Sequence, residues 1–280
     1  MSLFDQRVIY SNNGTLSDIS LEMNNFRSGT SVIPYVATED YIYIGSILPW
    51  SSRWFEVSVA NAVTASLVVE YYDSTWKTGV DVFDTTSVSG KTLAQSGYVR
   101  FSRNRRQNSW QRTSETAQIS ELSSLYIYDM YWMRISFSAS LTGTTALKYI
   151  GNKFSGDSEL YSQYPDLNQS ALKLQFASGK TTWDEQSFIA ARTISEDLKT
   201  KEMIYSSDQI LDPTAFELAS VHKTAEIIYG ALGDAFKDNR DRANVSYNKE
   251  MNKRYKNIDV TGDGDLSLEE RGVSYGSLHR

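Results

Sequence analysis

The sequence predicts an α+β chain in which an N-terminal antiparallel β-sandwich is followed by a C-terminal α-helical bundle that ends in an EF-hand-like loop. Between about residues 41 and 150, apolar residues alternate with polar ones, which is the period of a half-buried strand. After residue 150 the apolar residues recur at helical spacing. The chain has 280 residues, 40% of them hydrophobic, and is long enough for two well-filled domains.

Five aromatic-rich segments of the N-terminal half are predicted to be strands. They are residues 41–44, 54–59, 65–72, 97–101 and 131–137. The segments between them are rich in Ser, Thr, Asn, Asp and Gly, and Asp73, Ser74 and Thr75 are typical of a hairpin turn. Short strands at this spacing favour a sandwich over residues 41–153. Residues 1–40 are expected to form an N-terminal arm or an extra strand.

Residues 154–170 are polar and contain Pro165, which disfavours helix in the residue before it, so this stretch is predicted to be a linker. A helical domain is expected over residues 171–258. Thr182 and Glu185 have the spacing of a capping box, and Asp212 followed by Pro213 is typical of a helix start. The apolar stripes of three predicted helices are Phe188, Ala191, Ile194 and Leu198, then Leu218, Val221, Ala225, Ile228 and Leu232, then Tyr247, Met251, Tyr255 and Ile258.

Residues 259–270 have the twelve-residue order of an EF-hand calcium loop. The predicted ligands, at loop positions 1, 3, 5, 7, 9 and 12, are Asp259, Thr261, Asp263, Asp265, Ser267 and Glu270. Gly264 fits position 6, where the backbone must turn with positive φ. Thr261 stands where Asp or Asn is usual, so weaker Ca²⁺ affinity is expected. The alternative is an acidic surface turn.

The tail, residues 271–280, is too short and too interrupted by glycine to form a strong second helix. A calcium switch normally needs two paired EF-hands, whose helices move apart when Ca²⁺ binds. The sequence therefore predicts a structural Ca²⁺ clip rather than a switch.

A local basic cluster stands out in a chain whose net charge is −6. It consists of Arg100, Arg103, Arg105, Arg106 and Arg112. Phe101 and Trp110 are interleaved with these arginines, and basic residues among aromatic ones bind phosphates and stack on bases. The cluster is a candidate DNA or partner contact. A solvated loop and an intermolecular ion-pair patch are the alternatives.

No catalytic arrangement emerges from the sequence, and no enzymatic activity is expected. There are no cysteines, and no phosphate-binding glycine loop or zinc-protease motif occurs. His222 lies in a predicted helix, where a lone histidine is more often structural than catalytic. Glycoside hydrolysis by a pair of carboxylates is not excluded, but no feature of the sequence marks out two of its many Asp and Glu residues as that pair. Neither a signal peptide nor an apolar run long enough for a membrane span is recognisable, so a protein made in the cytosol is expected.

Three segments of the C-terminal half, residues 157–167, 188–194 and 219–229, resemble the helical head–tail connector (adaptor) proteins of tailed bacteriophages. The acidic terminal loop is also similar to loops in some phage neck proteins. The N-terminal half is similar to β-sandwich modules of phage virion proteins. Residues 68–76, 93–99 and 131–135 carry that similarity. Simple adaptors are mostly helical, so the sandwich departs from the family pattern.

The resemblance implies a structural virion protein at the neck, the capsid–tail junction, assembled in the host cytoplasm. Its copies would form a ring, dodecameric in the family pattern, because a head-to-tail contact repeated around an axis closes. The partners implied are the portal protein above and tail or neck proteins below, with no membrane. DNA would pass through the bore without sequence-specific binding.

A second hypothesis is a carbohydrate-binding module of a virion or cell-surface protein with a dockerin-like calcium loop. Trp54, Trp76, Trp110 or Trp132 would then stack on sugar faces. Dockerins carry two such loops and this sequence has one, which favours the connector.

Overall fold

The computed structural model describes residues 6–102, 110, 112–253, 258–263 and 270. The chain divides into two compact units, Met1–Gly151 and Asn152–Arg280. Within the described residues the first unit consists mainly of antiparallel strands and the second of helices. The predicted order of antiparallel sheets followed by helices is therefore confirmed.

The strands of the sheet unit are β1 (Gln6–Asn12), β2 (Thr15–Asp18), β3 (Ser31–Val32), β4 (Tyr41–Ser46), β5 (Ser52–Val59), β6 (Leu67–Asp73), β7 (Thr75–Thr78), β8 (Val80–Asp84), β9 (Gly97–Ser102), β10 (Arg112–Glu115), β11 (Tyr128–Phe137) and β12 (Ala146–Gly151). A short helix, α1 (Ser20–Asn24), lies between β2 and β3. The five predicted strands correspond to β4, β5, β6, β9 and β11, and the predicted turn joins β6 to β7 through Ser74, whose φ is +57°.

Across the described part of the unit, the strands form two antiparallel sheets. The first has the order β2-β1-β4-β11-β6-β7, with β10 paired to the beginning of β11. The second has the order β3-β12-β5-β9-β8. The first forty residues contribute β1 and β2 to the first sheet, where β1 lies between β2 and β4, and β3 to the edge of the second.

One apolar core lies between the two sheets, in a sandwich-like arrangement. Ile42 and Ile44 of β4 line it from the first sheet, and Phe55 of β5 and Val99 of β9 line it from the second. None of these four side chains is more than 1% exposed. Successive side chains of a strand point to opposite faces, which explains the alternation seen in the sequence.

The outer face of the first sheet is also covered. Tyr43 of β4 and Trp132 of β11 pack there against Ile119, Leu122 and Ile127. These three residues belong to a connection that contains two 3₁₀ turns, Thr116–Gln118 and Ser120–Leu122. The central strands of this sheet are therefore buried on both faces.

The helices of the second unit are α2 (Asp157–Gln163), α3 (Ser170–Phe176), α4 (Asp184–Thr200), α5 (Glu217–Leu232) and α6 (Lys237–Met251). Four 3₁₀ turns connect them: Pro165–Asn168, Ser207–Gln209, Pro213–Phe216 and Asp234–Phe236. None of the described helices is long and apolar enough to cross a bilayer.

The prediction that residues 154–170 form a linker is wrong for most of that stretch. It contains α2 and a 3₁₀ turn, and Leu160 and Leu167 are completely buried in the helical core. Pro165 begins the 3₁₀ turn, where its missing N–H costs nothing. The polar residues lie on the opposite side of a short amphipathic segment, so composition alone misidentified it.

Two predicted helix starts had different outcomes. Asp212 caps the turn that leads into α5, because its Oδ1 accepts from the Thr214 amide at 3.0 Å and Pro213 takes the first position. The capping box of Thr182 and Glu185 is wrong: α4 begins at Asp184, with Trp183 as its N-cap residue. The helix therefore starts one residue later than the motif predicts, and the residue at its N-cap is completely buried.

The predicted apolar stripes lie on the buried faces of α4, α5 and α6, with two exceptions. Ile258, predicted to lie on the third helix, follows the end of α6 at Met251 and forms a β-bridge with Ile210 instead. Leu218 is 39% exposed, whereas Val221, Ala225 and Ile228 of the same stripe are completely buried. Tyr255 and residues 264–269 of the predicted calcium loop lie outside the described residues. An EF-hand is not shown, so the second half of that loop and the tail remain predictions.

Candidate cation site and the other predicted site residues

The first residues of the calcium-type loop, residues 259–270, are attached to the helical core. Ile258, immediately before the loop, is 4% exposed and packs in the core that α4, α5 and α6 share. It forms an antiparallel bridge with Ile210. An apolar side chain thus fixes where the acidic loop begins.

Asp259, the predicted ligand at position 1, is 1% exposed. Its Oδ1 accepts from the Gly262 amide at 2.7 Å and from the Thr261 hydroxyl at 3.1 Å. Gly262 has φ +73°, which favours glycine because it has no side chain to clash. The carboxylate is therefore held over a tight turn made by the loop's own backbone.

Glu270, the predicted ligand at position 12, reaches the same turn. Its Oε1 accepts from the Thr261 amide at 2.9 Å, and the residue is 5% exposed. Asp259 and Glu270 therefore both bond to Thr261, one through its hydroxyl and the other through its amide. An EF-type loop requires this convergence of its first and last carboxylates.

Burial makes these two carboxylates suitable for a cation. An ionised carboxylate is costly to remove from water unless it is paired or binds a metal. A divalent cation takes oxygen ligands, which the two carboxylates at this turn can supply. The residues present at the two ends of the loop thus fit Ca²⁺.

Of the remaining predicted ligands, Thr261 and Asp263 are exposed, and Asp265 and Ser267 lie outside the described residues. Among the residues that the structure describes, no three Asp, Glu, His or Cys side chains are grouped closely enough to hold a metal ion. A full coordination shell needs the part of the loop beyond Asp263.

The predicted basic cluster is described at two of its five positions. Arg100 lies on β9 of the second sheet, with its guanidinium 4.9 Å from the centre of the Tyr98 ring. Arg112 lies on β10 of the first sheet and forms an exposed ion pair with Asp129, at 3.6 Å. Arg103, Arg105 and Arg106 lie outside the described residues, so the cluster stays a prediction.

The four tryptophans considered as sugar platforms differ in exposure. Trp110 is 4% exposed and Trp132 is completely buried, so neither can stack on a sugar. Trp54 and Trp76 are half-buried, and their indole N–H groups donate to Glu56 at 2.7 Å and to Glu121 at 3.1 Å. Two of the four predicted platforms are therefore removed, and stacking on Trp54 or Trp76 stays a prediction.

His222, in α5, makes a structural contact. Its Nδ1 lies 2.8 Å from the Tyr164 hydroxyl, and the two rings pack edge to face. Burial lowers the pKa of His222 below its ordinary value, with Glu250 raising it and Lys253 lowering it by smaller amounts. The half-buried imidazole therefore has a hydrogen-bond partner within the helical unit.

The lowered pKa of His222 predicts a pH dependence for the helical unit. The unfolded chain binds a proton near pH 6.5 and the folded chain only at lower pH, so the stability contributed by His222 falls as the pH drops below about 6.5. Replacing His222 with Gln should reduce this loss, because a side-chain amide can still hydrogen-bond to the Tyr164 hydroxyl and does not titrate. Urea unfolding at pH 7.5 and pH 5.0 tests this prediction. An equal loss of stability in both proteins would contradict it.

Comparison with known proteins identifies no relative: no family model, curated protein or solved structure matches this chain.

Proposed function

We propose that this chain is a non-enzymatic structural protein of a tailed-bacteriophage virion, a head–tail connector that forms a ring between portal and tail. A calcium-type loop fastens its C-terminal segment to the helical unit. The observation that carries the proposal is the position of the segments that resemble adaptor proteins. They coincide with the packed parts of the helical unit.

The segments 157–167, 188–194 and 219–229 supply α2 with its following turn, part of α4 and most of α5. Their completely buried residues include Leu160, Leu167, Ile194, Val221 and Ile228. The resemblance thus rests on residues that determine how the helices pack, rather than on scattered surface positions. This supports a shared helical architecture.

Surface properties agree with a ring through which DNA passes. A net charge of −6 disfavours strong phosphate binding, which depends on Lys and Arg displacing counterions. Exposed aromatic side chains such as Tyr126 (67%) and Tyr128 (59%) are typical of protein interfaces. The portal protein and a tail or neck protein are the partners proposed.

Antibody labelling of intact particles, viewed by negative-stain electron microscopy, tests the location. Label at the capsid–tail junction is the expected result. Label at fibre tips, or on no particle, would overturn the connector proposal. Native mass spectrometry of the purified chain, alone and with portal protein, then measures whether a closed ring forms.

The calcium loop gives a prediction of its own. Ca²⁺ should stabilise the helical unit, by about 2.7 kcal/mol at a free concentration one hundred times Kd. Replacing Glu270 with Gln should remove most of this gain. Gln keeps an oxygen that accepts from the Thr261 amide but loses the negative charge of the ligand at position 12.

Thermal unfolding with Ca²⁺ and with EDTA measures the effect. The matched control is Glu196→Gln, in the same unit, where the side chain is 61% exposed and pairs only with Lys199 among the ion pairs described. This control should respond to Ca²⁺ like the wild type. If Ca²⁺ does not change the thermal unfolding of the wild-type chain, the proposed structural role of Ca²⁺ is contradicted.

A further inference from the structure

The hairpin of β1 and β2 turns through two exposed residues, Asn13 and Gly14, which are the single Asn-Gly pair of the sequence. Their φ angles are +45° and +78°, and Asn12 pairs with Thr15 across them. A two-residue turn with two positive φ angles is of type I′, for which Asn followed by Gly is favoured. Within the described part of the chain, neither the Asn13 side chain nor the Gly14 amide has a hydrogen-bond partner.

An asparagine in this position can react with the backbone nitrogen that follows it. The Gly14 nitrogen attacks Cγ of Asn13 and forms a C–N bond, the Cγ–Nδ2 bond breaks, and ammonia leaves with the hydrogen of the Gly14 amide. Water then adds its hydroxyl to either carbonyl of the five-membered imide and returns a hydrogen to the nitrogen. One opening gives aspartate, and the other gives isoaspartate, in which the main chain runs through Cβ and Cγ.

The surroundings of the turn leave this reaction unhindered. Glycine has no side chain to shield its nitrogen. A Cβ built on Gly14 would meet no atom within 4 Å, so the turn has space to change its shape. The end of an exposed hairpin is also a place where local opening costs little free energy.

We infer that Asn13 is a self-modification site, converted to isoaspartate with water as the co-reactant, and that the product loosens the turn end of the β1–β2 hairpin. Isoaspartate adds one carbon to the main chain. A turn lengthened in this way no longer matches the two-residue geometry that pairs Asn12 with Thr15.

A buried carboxylate adds to the effect. Asp40 is completely buried, and its Oδ1 accepts from the Asn13 amide at 2.8 Å. Its Oδ2 accepts from the Tyr10 hydroxyl and from the Val36 amide, both at 2.8 Å. Either product places a second carboxylate on the residue that Asp40 binds, and like charges repel. The bond from residue 13 to Asp40 is therefore the first contact expected to open.

The far end of the hairpin is held by other contacts. The Ile19 amide donates to the Val8 carbonyl at 3.0 Å, and Arg7 forms an ion pair with Asp18 at 3.1 Å. Loosening should therefore be confined to residues 12–16.

Incubation of the full chain at pH 8, followed by peptide mapping with electron-transfer dissociation, measures the conversion, because this fragmentation distinguishes isoaspartate from aspartate. Asn13 should convert on the order of tenfold faster than Asn25, an exposed asparagine whose neighbour Phe26 shields its own backbone nitrogen with a side chain. Conversion should be slower in Gly14→Ala for the same reason. Equal rates at Asn13 and Asn25 would overturn the assignment of the site.

Hydrogen exchange of the converted chain, separated from the unmodified chain by anion exchange, measures the effect on the hairpin. Peptides covering residues 12–16 should exchange faster in the isoaspartate form, and peptides covering residues 18–23 should be unchanged. Asn13→Asp adds the charge without lengthening the main chain, so its increase should be smaller. An isoaspartate form that exchanges like the unmodified chain would overturn the proposed loosening.

Discussion

Replacing Trp183 with alanine should destabilise the helical unit by about 3–5 kcal/mol, the range for truncating a large buried aromatic side chain. Trp183 is completely buried among residues from α2, α3 and α5. Its ring packs edge to face with Phe176, with the centroids 5.1 Å apart. Truncation would therefore leave a cavity where several helices meet.

The indole also has a polar role, because its Nε1 donates to the Leu167 carbonyl at 2.8 Å. Phe in place of Trp183 keeps most of the ring and loses this bond, so a smaller loss of about 1–2 kcal/mol is expected. Circular dichroism at 222 nm during urea unfolding follows the helices. Leu174→Ala, in α3, is the matched control since Leu174 is 66% exposed. The prediction is wrong if the Trp183 and Leu174 variants lose similar stability.

Replacing Arg134 with alanine should destabilise the sheet unit by about 2–3 kcal/mol, somewhat less than for a fully buried ion pair because solvent reaches the site. Arg134 bonds Glu70 through two nitrogens, at 2.6 and 3.2 Å, and Glu121 at 3.3 Å. The guanidinium also lies between the rings of Tyr41 and Trp76, 4.6 and 4.7 Å from their centres. Its removal leaves Glu70, whose side chain is 18% exposed, without this counter-ion.

Arg112 provides the matched control on the same sheet. Its side chain is 53% exposed and its contact with Asp129 spans 3.6 Å, so Arg112→Ala should change stability by less than about 0.5 kcal/mol. Tryptophan fluorescence is a suitable probe because Trp76 contacts Arg134. Combining Arg134→Met with Glu70→Gln should recover part of the loss, since the Glu70 carboxylate, the closer partner of Arg134, is then no longer left without its counter-ion. Equal effects of Arg134→Ala and Arg112→Ala would contradict the prediction.

The secondary structure could be predicted for those strands and helices that bury one face and expose the other, because their apolar residues then recur at a regular spacing. Strand β9 and helix α5 have clear periods, and their positions followed from the sequence. For β1 the sequence could not decide between an arm and an extra strand, because Val8, Ile9 and Tyr10 are all buried, on alternating faces, and show no alternation of polarity. The pair Leu160 and Leu167, seven residues apart around a proline, was a usable signal that the polar composition of residues 154–170 concealed.

The candidate ligands could be predicted from the sequence, but the residues that hold them in place could not. The spacing of Asp259 and Glu270 comes from a local motif, which sequence can display. The Gln209 side chain donates to the carbonyl of Asp259, fifty positions away, and nothing near Gln209 in the sequence distinguishes it from other glutamines. Contacts of this kind depend on how the helices pack, and a single sequence does not encode them locally.

The pairing of β4 with β11 has a consequence for synthesis on the ribosome. Residues 42–46 bond to residues 131–135, so the centre of the first sheet joins segments made far apart in time. Until β11 has left the ribosome, β4 has an unpaired edge rich in isoleucine and tyrosine, a surface prone to aggregation. During synthesis, the unpaired edge of β4 is therefore a surface that a chaperone would need to cover.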